Sequence, residues 1–304
     1  MLLETAFLAA GCGLLFLGGD WLVDGIAGLA GHLRVPPVIV AFVVMGFGTS
    51  APELFVAINA MSVPSPDVAM GNIVGSNIAN LLLVLAITAL IAPLSIDRDV
   101  LRIDGTAMLV GALALAFVCS DGVVSVGDAV GLVAGMLCYL ALRWRSLPDT
   151  DEAEDPGAHR LWAAAAVCLA ALVALPLGAN LFIGAAIDIA GRLGVSEAMI
   201  GLTVVALGTS LPELAACVAA VLRRHSGMIL GGILGSNVFN GTIVLAGAAI
   251  VAPVGVGDAF LTFWIPVMVG ASVVTLAFLR TGYILCRREA AVMLVAYAAL
   301  FVPL

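Results

Sequence analysis

The sequence reads GTSAPEL at residues 48–54 and GTSLPEL at residues 208–214, two polar strings that each carry a glutamate within an otherwise apolar chain. A second pair lies beyond them, GSNIAN at 75–80 and GSNVFN at 235–240, at the same offset of 160 residues. Upstream, AGHLRV at 30–35 and AGRLGV at 190–195 keep that offset. A gapless match of this length marks an internal duplication. Glycines scattered for helix packing would not repeat whole polar strings at one spacing.

Around these strings, 63% of the 304 residues are hydrophobic and 11% are charged, with a mean hydropathy of +1.21. Soluble chains carry roughly a quarter of charged residues, so the expected solvent and contact surface of this chain is the lipid bilayer. Apolar runs near 4–28, 36–61, 67–91, 103–119, 123–142, 161–189, 196–221, 227–252, 259–279 and 289–303 predict ten transmembrane helices. The expected fold is an all-α membrane protein: a first five-helix repeat over 1–143, a cytoplasmic linker over 144–160 containing the acidic DTDEAED (149–155), and a second five-helix repeat over 161–304. Five is odd, so the second copy enters the membrane in the opposite orientation. Inverted repeats with interrupted core helices, meeting near the bilayer midplane, are the architecture of many secondary transporters. Arg192 is expected on one side of the membrane and the other eleven arginines on the opposite side. Positively charged loops stay cytoplasmic, which places both termini outside the cytoplasm, in a multi-pass protein of the cell (inner) membrane.

Several function classes fall away on composition. There is no lysine and no basic stripe, so nucleic-acid binding has no support. The six cysteines share no spacing, and His32, His159 and His225 fall in expected loops, so no His/Cys metal site can be assembled. The first segment carries Glu4 rather than a basic n-region and reads as the start of the first span, not as a signal peptide. No nucleophile stands with a base, so neither an enzyme nor a cofactor is expected. A channel would ordinarily be built on rotational symmetry about the membrane normal. Nothing calls for an obligate protein partner.

The duplicated strings carry the chemistry. Pro52 and Pro212 cannot donate helical hydrogen bonds to the carbonyls of Gly48 and Gly208, so each helix is expected to open there. Tilted carbonyls at Gly46, Thr49, Ala206 and Thr209 are costly in lipid but become hard oxygen ligands for a cation. Thr49 shares a helix face with Glu53, four residues on, as Thr209 does with Glu213; Ser76 and Asn80, and Ser236 and Asn240, repeat that spacing. Ser50 and Ser210 are either further ligands or packing hydroxyls, and Asn77 and Asn237 either bind ions or brace the broken helices. A charged carboxylate at membrane depth costs roughly 3 kcal/mol, and two at matching places point to function rather than to structural glue. Asp20, Asp24 and Asp188 are expected nearer a membrane face, in structural or vestibule roles.

Taken together, the paired GTSxPE and GSNxxN segments resemble the two alpha repeats of the cation/calcium exchanger superfamily, in its sodium/calcium exchanger branch with the bacterial calcium/sodium antiporters. The proton/calcium exchangers of that superfamily typically carry GNxxE instead, which is absent here. The resemblance implies a secondary antiporter that exchanges Ca2+ for Na+ by alternating access. It implies a calcium site from Glu53, Glu213 and the carbonyls of Thr49 and Thr209. Flanking sodium sites would use the carbonyls of Gly46 and Ala206 with Thr49, Ser50, Ser76, Thr209, Ser210 and Ser236, while Asn80 and Asn240 face the centre. Some relatives have an aspartate where Asn240 stands, leaving two central acids here. The rival on the same scaffold is an exchanger that uses protons or another divalent cation.

Overall fold

A computed structural model describes residues 2–62, 65–145, 161–193 and 208–301. The linker expected over 144–160 lies almost wholly outside these residues, as do Ala206 and the first part of the expected seventh span. The described chain is helical apart from four two-residue strands.

The helices are α1 (Leu2–Leu33), α2 (Pro37–Thr49) and α3 (Ala51–Ser62), followed by α4 (Pro66–Ile91), α5 (Arg98–Cys119) and α6 (Val126–Arg145). The second half contributes α7 (Leu161–Arg192), α8 (Leu211–Leu222), α9 (Ser226–Val251), α10 (Phe260–Arg280) and α11 (Arg287–Ala299). Among the described residues, eight helical segments are long and apolar enough to cross a membrane, the broken pair Pro37–Ser62 counting as one. Helix α1 runs on to Leu33, so His32 belongs to its last turn, not to a loop, and its Nδ1 lies 2.8 Å from the Gly28 carbonyl.

Strands β1 (Leu94–Ser95), β2 (Val123–Val124), β3 (Val254–Gly255) and β4 (Ile284–Leu285) occupy the turns around α5 and α10. β1 pairs antiparallel with β4, and β2 with β3, so each turn of one half takes its partner from the other half. Gly122 and Gly282, 160 residues apart, make the left-handed turns (φ +87° and +80°) that lead into β2 and β4. Short pairings of this kind give the turn backbone the hydrogen-bond partners that lipid cannot supply.

The interior belongs to α2, α4 and α9. Helix α2 crosses α9 with backbones nearly touching: a Cβ on Gly46 would lie 2.8 Å from the carbonyl carbon of Gly235. Only glycine allows that approach, which sets the two duplicated strings against each other. α4 and α9 each pass through a π-helical turn, at Asn80–Leu85 and Asn240–Val244. Such turns add one residue to the helical circuit and gather at functional sites.

A buried ion pair ties α5 to α6. Arg143 Nε lies 2.9 Å from Asp104 Oδ1, and the Tyr139 hydroxyl donates to the same oxygen at 2.6 Å. With Asp104 1% exposed, removing one partner strands a charge. Arg143→Leu is expected to destabilise the protein by about 3–5 kcal/mol, and the double Asp104→Leu, Arg143→Leu variant by much less. Thermal unfolding in detergent measures both; equal melting temperatures for the single and double variants would show that the pair is not a unit.

Candidate cation-binding site

The broken helices build the site. Thr49 closes α2, and Ser50 leaves the helical path (φ −88°, ψ 2°) before α3 begins at Ala51. Ser210 does the same at the start of α8 (φ −91°, ψ 5°). Pro52 and Pro212 are the second residues of their helices, where a missing amide donor costs nothing. The break therefore falls two residues before each proline, later than the opening expected at Gly48 and Gly208. One consequence is decisive for the acids: Glu53 and Glu213 sit in the first turns of α3 and α8, at the positive ends of two helix dipoles.

Both glutamates are 1% exposed, and none of their four carboxylate oxygens has a hydrogen-bond partner. The Ser76 hydroxyl lies beside the Glu53 carboxyl and Thr49 beside that of Glu213, and the two carboxyls are near enough to repel. Thr49, Ser50, Ser76, Asn80, Ser210, Ser236 and Asn240 are buried, and Thr209 is half-buried. The halves interlock: Thr49 Oγ1, which donates to the Met45 carbonyl at 2.7 Å, lies 3.4 Å from Ser236 Oγ. Gly46 is buried where α2 meets Gly235.

The asparagines divide the work. Asn237 accepts from Asn80 Nδ2 at 3.1 Å and donates to the Asn77 carbonyl at 3.2 Å, while Asn77 Nδ2 points to Met268 Sδ at 3.5 Å. Asn237 thus braces the cluster. By contrast, Ser50, Ser76 and Ser210 hydroxyls, Asn80 Oδ1 and both side-chain atoms of Asn240 are buried without partners. Each orphaned neutral polar group costs about 1–3 kcal/mol, and an ionised one costs more. The orphans here are mostly oxygens, crowded around two acids. A hard cation would satisfy them together, whereas a soft metal would ask for sulfur or imidazole. Among the described residues no group of three His, Cys, Asp or Glu side chains gathers to hold a metal ion.

The remaining acids take other places. Asp20 and Asp24 of α1 flank Arg223, with Asp20 Oδ1 3.0 Å from its guanidinium, and Glu4 pairs with Arg192 at the other end of α1. Asp188 is exposed. Sequence reasoning missed one residue at the site itself: Asn72, whose Nδ2 donates to the Glu53 main-chain carbonyl at 3.0 Å. The available signal was its place on α4, one turn before Ser76.

Comparison with known proteins identifies the family. The family described as sodium/calcium exchanger protein matches residues 3–145 and 163–302. The chain is 34% identical to the putative antiporter CaxA of Alkalimonas amylolytica, over 85% of this chain and 84% of that protein. It is 29% identical to the sodium/calcium exchanger MaX1 of Methanosarcina acetivorans, over 100% and 99%. A solved structure of the sodium-calcium exchanger NCX_Mj, soaked with Na+ and Sr2+, superposes with a TM-score of 0.87 at 29% identity, covering 100% of this chain and 99% of that one. The match spans both duplicated halves and every described helix, and the chain is accordingly a membrane antiporter of the sodium/calcium exchanger family.

Proposed function

We propose that this protein exchanges Ca2+ for Na+ by alternating access, binding the ions in turn between Glu53 and Glu213. The observation that carries this reading is the pair of 1%-exposed glutamates, one from each half, with no hydrogen-bond donor on any carboxylate oxygen. Two negative charges match one calcium or two sodium ions. The calcium ligands are the two carboxylates and the carbonyls of Thr49 and Thr209. Sodium uses the carbonyls of Gly46 and Ala206 with Thr49, Ser50, Ser76, Thr209, Ser210 and Ser236, and Asn80 and Asn240 face the cluster.

The scaffold suited to this is ten spans in two inverted repeats, 1–143 and 161–304, joined by a cytoplasmic linker over 144–160. The 160-residue offset and the crosswise pairing of β1 with β4 and β2 with β3 support that reading. α8 and α11 complete the count as the described parts of the seventh and tenth spans. Arginine distribution supports both termini outside, in the inner membrane. Purified protein in liposomes, given sodium, proton and potassium gradients separately, tests the ion pair. Calcium uptake driven by sodium alone is expected. Uptake driven by protons instead would transfer the scaffold to a different coupling ion.

Asn240 sets the charge of the cluster. Its buried side chain offers one oxygen and one amide donor, neither of them partnered. Asn240→Asp adds a third acid where two already balance a divalent ion. The expected result is a several-fold change in sodium or calcium half-saturation that varies with pH, with little change in melting temperature. Ion dependence identical to wild type between pH 6 and pH 9 would remove Asn240 from the cluster.

A further inference from the structure

Along the polar face of the third span, the two halves differ at one position. On α4 the side chains of Asn72, Ser76 and Asn80 follow at four-residue intervals; 160 residues on, α9 carries Gly232, Ser236 and Asn240. Residues four apart share a helix face, about one turn or 6 Å from each other. The first rung of this ladder is an asparagine in one half and a bare glycine in the other. Met45 fills the space at Gly232, where its thioether end would collide with any added Cβ.

Asn72 is held in a defined way. Its Nδ2 donates to the Glu53 carbonyl, so the amide plane is fixed and Oδ1 has no freedom to find another partner. That oxygen is buried without a hydrogen bond, as are Ser76 Oγ and Asn80 Oδ1 along the same face. Asn72 and Ser76 also line a cavity of about 420 Å3 that reaches Thr209 and is otherwise walled by apolar groups such as Val68, Phe260 and Phe301. Val68, Phe260 and Phe301 belong to the helix ends away from the arginine-bearing turns. An amide oxygen is a hard ligand of the kind that replaces a water on sodium or calcium, whereas a thioether is only a weak acceptor.

We propose that Asn72 Oδ1 is a transit ligand for a hard cation, Na+ or Ca2+, on the outer approach to the glutamate pair, and that the cytoplasmic approach has no such step. This rests on the exchanger reading above. A cation entering from the cavity exchanges part of its hydration for Asn72 Oδ1, then for Ser76 Oγ one turn deeper, before it meets Glu53. On the other side Met45 occupies the matching place.

Two substitutions separate this role from simple bracing of the Glu53 carbonyl. Asn72→Ala removes both donor and oxygen; Asn72→Asp removes the donor and keeps an oxygen. Full-length protein in liposomes of determined orientation gives half-saturating Ca2+ and Na+ at each face. Asn72→Ala, which also removes the donor on the Glu53 carbonyl, is expected to raise the outer-face value about tenfold more than the cytoplasmic value for the ion that uses the site. Asn72→Asp is expected to bring the outer value back to wild type or below. The calcium and sodium arms show which ion passes. Equal losses at both faces in the two variants, or no change in either, would overturn the proposal. Should Asn72→Ala not transport at all, Asn72→Asp decides alone, since a loss at both faces there has the same meaning. Failure of the exchanger reading is distinct, because the wild-type protein would then show no sodium-dependent calcium flux.

Discussion

Glu213→Gln and Glu53→Gln are each expected to abolish sodium-dependent calcium transport and to leave a folded protein that is as stable as wild type or more so. Glutamine keeps the shape and one oxygen but removes the charge. At an effective dielectric of about 20, two unit charges 4 Å apart attract by about 4 kcal/mol, and a divalent ion doubles the interaction with each carboxylate. Dehydration of the ion takes back part of this, so the net loss is about a thousandfold in calcium affinity, roughly 4 kcal/mol. Stability moves the other way. Both carboxylates are buried, unpartnered and close enough to repel, so neutralising either one relieves the ion-free state. Isotope uptake and thermal unfolding on the same preparation read the two effects together. Near-normal calcium flux in either variant would remove that residue from the site, and loss of flux with a collapsed melting temperature would make the glutamate structural.

Much of this site was legible because duplication repeats chemistry at a fixed spacing. The offset between GTSAPEL and GTSLPEL singled out both glutamates, and the four-residue spacings hold on unbroken helix for Ser76 with Asn80 and Ser236 with Asn240; Thr49, cut off from Glu53 by the break at Ser50, lies beside Glu213 instead. The position of the helix break was less legible. Proline explains why a helix cannot continue past a point, but Ser50 and Ser210 turn away two residues earlier, and that turn is what brings the helix N-termini to the acids. Pairings between distant residues were the least legible. Asp104 with Arg143, Arg223 with Asp20 and Asp24, and Asn72 with the Glu53 carbonyl each join separate helices. Composition could have hinted at the first of these, since a charge of each sign inside neighbouring apolar spans asks for a partner. Asn72 is harder still, because its meaning lies in the contrast with Gly232, a difference between repeats rather than a likeness. The crosswise strand pairs are similarly silent in sequence: two-residue strands carry no periodicity to read.

Coupling follows from the same two charges, and its expected effect is as large. Without a bound ion, Glu53 and Glu213 would face each other in a dehydrated occlusion with nothing to neutralise them, a state of high energy. In the proposed cycle one calcium cancels the pair, as do two sodium ions, so loaded forms are expected to cross and the empty form is not. A three-sodium complement would carry one net charge per cycle, worth about 2.3 kcal/mol per 100 mV, and would make exchange respond to voltage. Liposomes loaded with calcium and diluted into chosen media measure this directly. Calcium efflux is expected when sodium or calcium is present outside and negligible when the medium holds only a large organic cation and a chelator. Rapid calcium loss into that last medium, with Glu53 and Glu213 intact, would contradict obligatory exchange and mark the protein as a channel or uniporter.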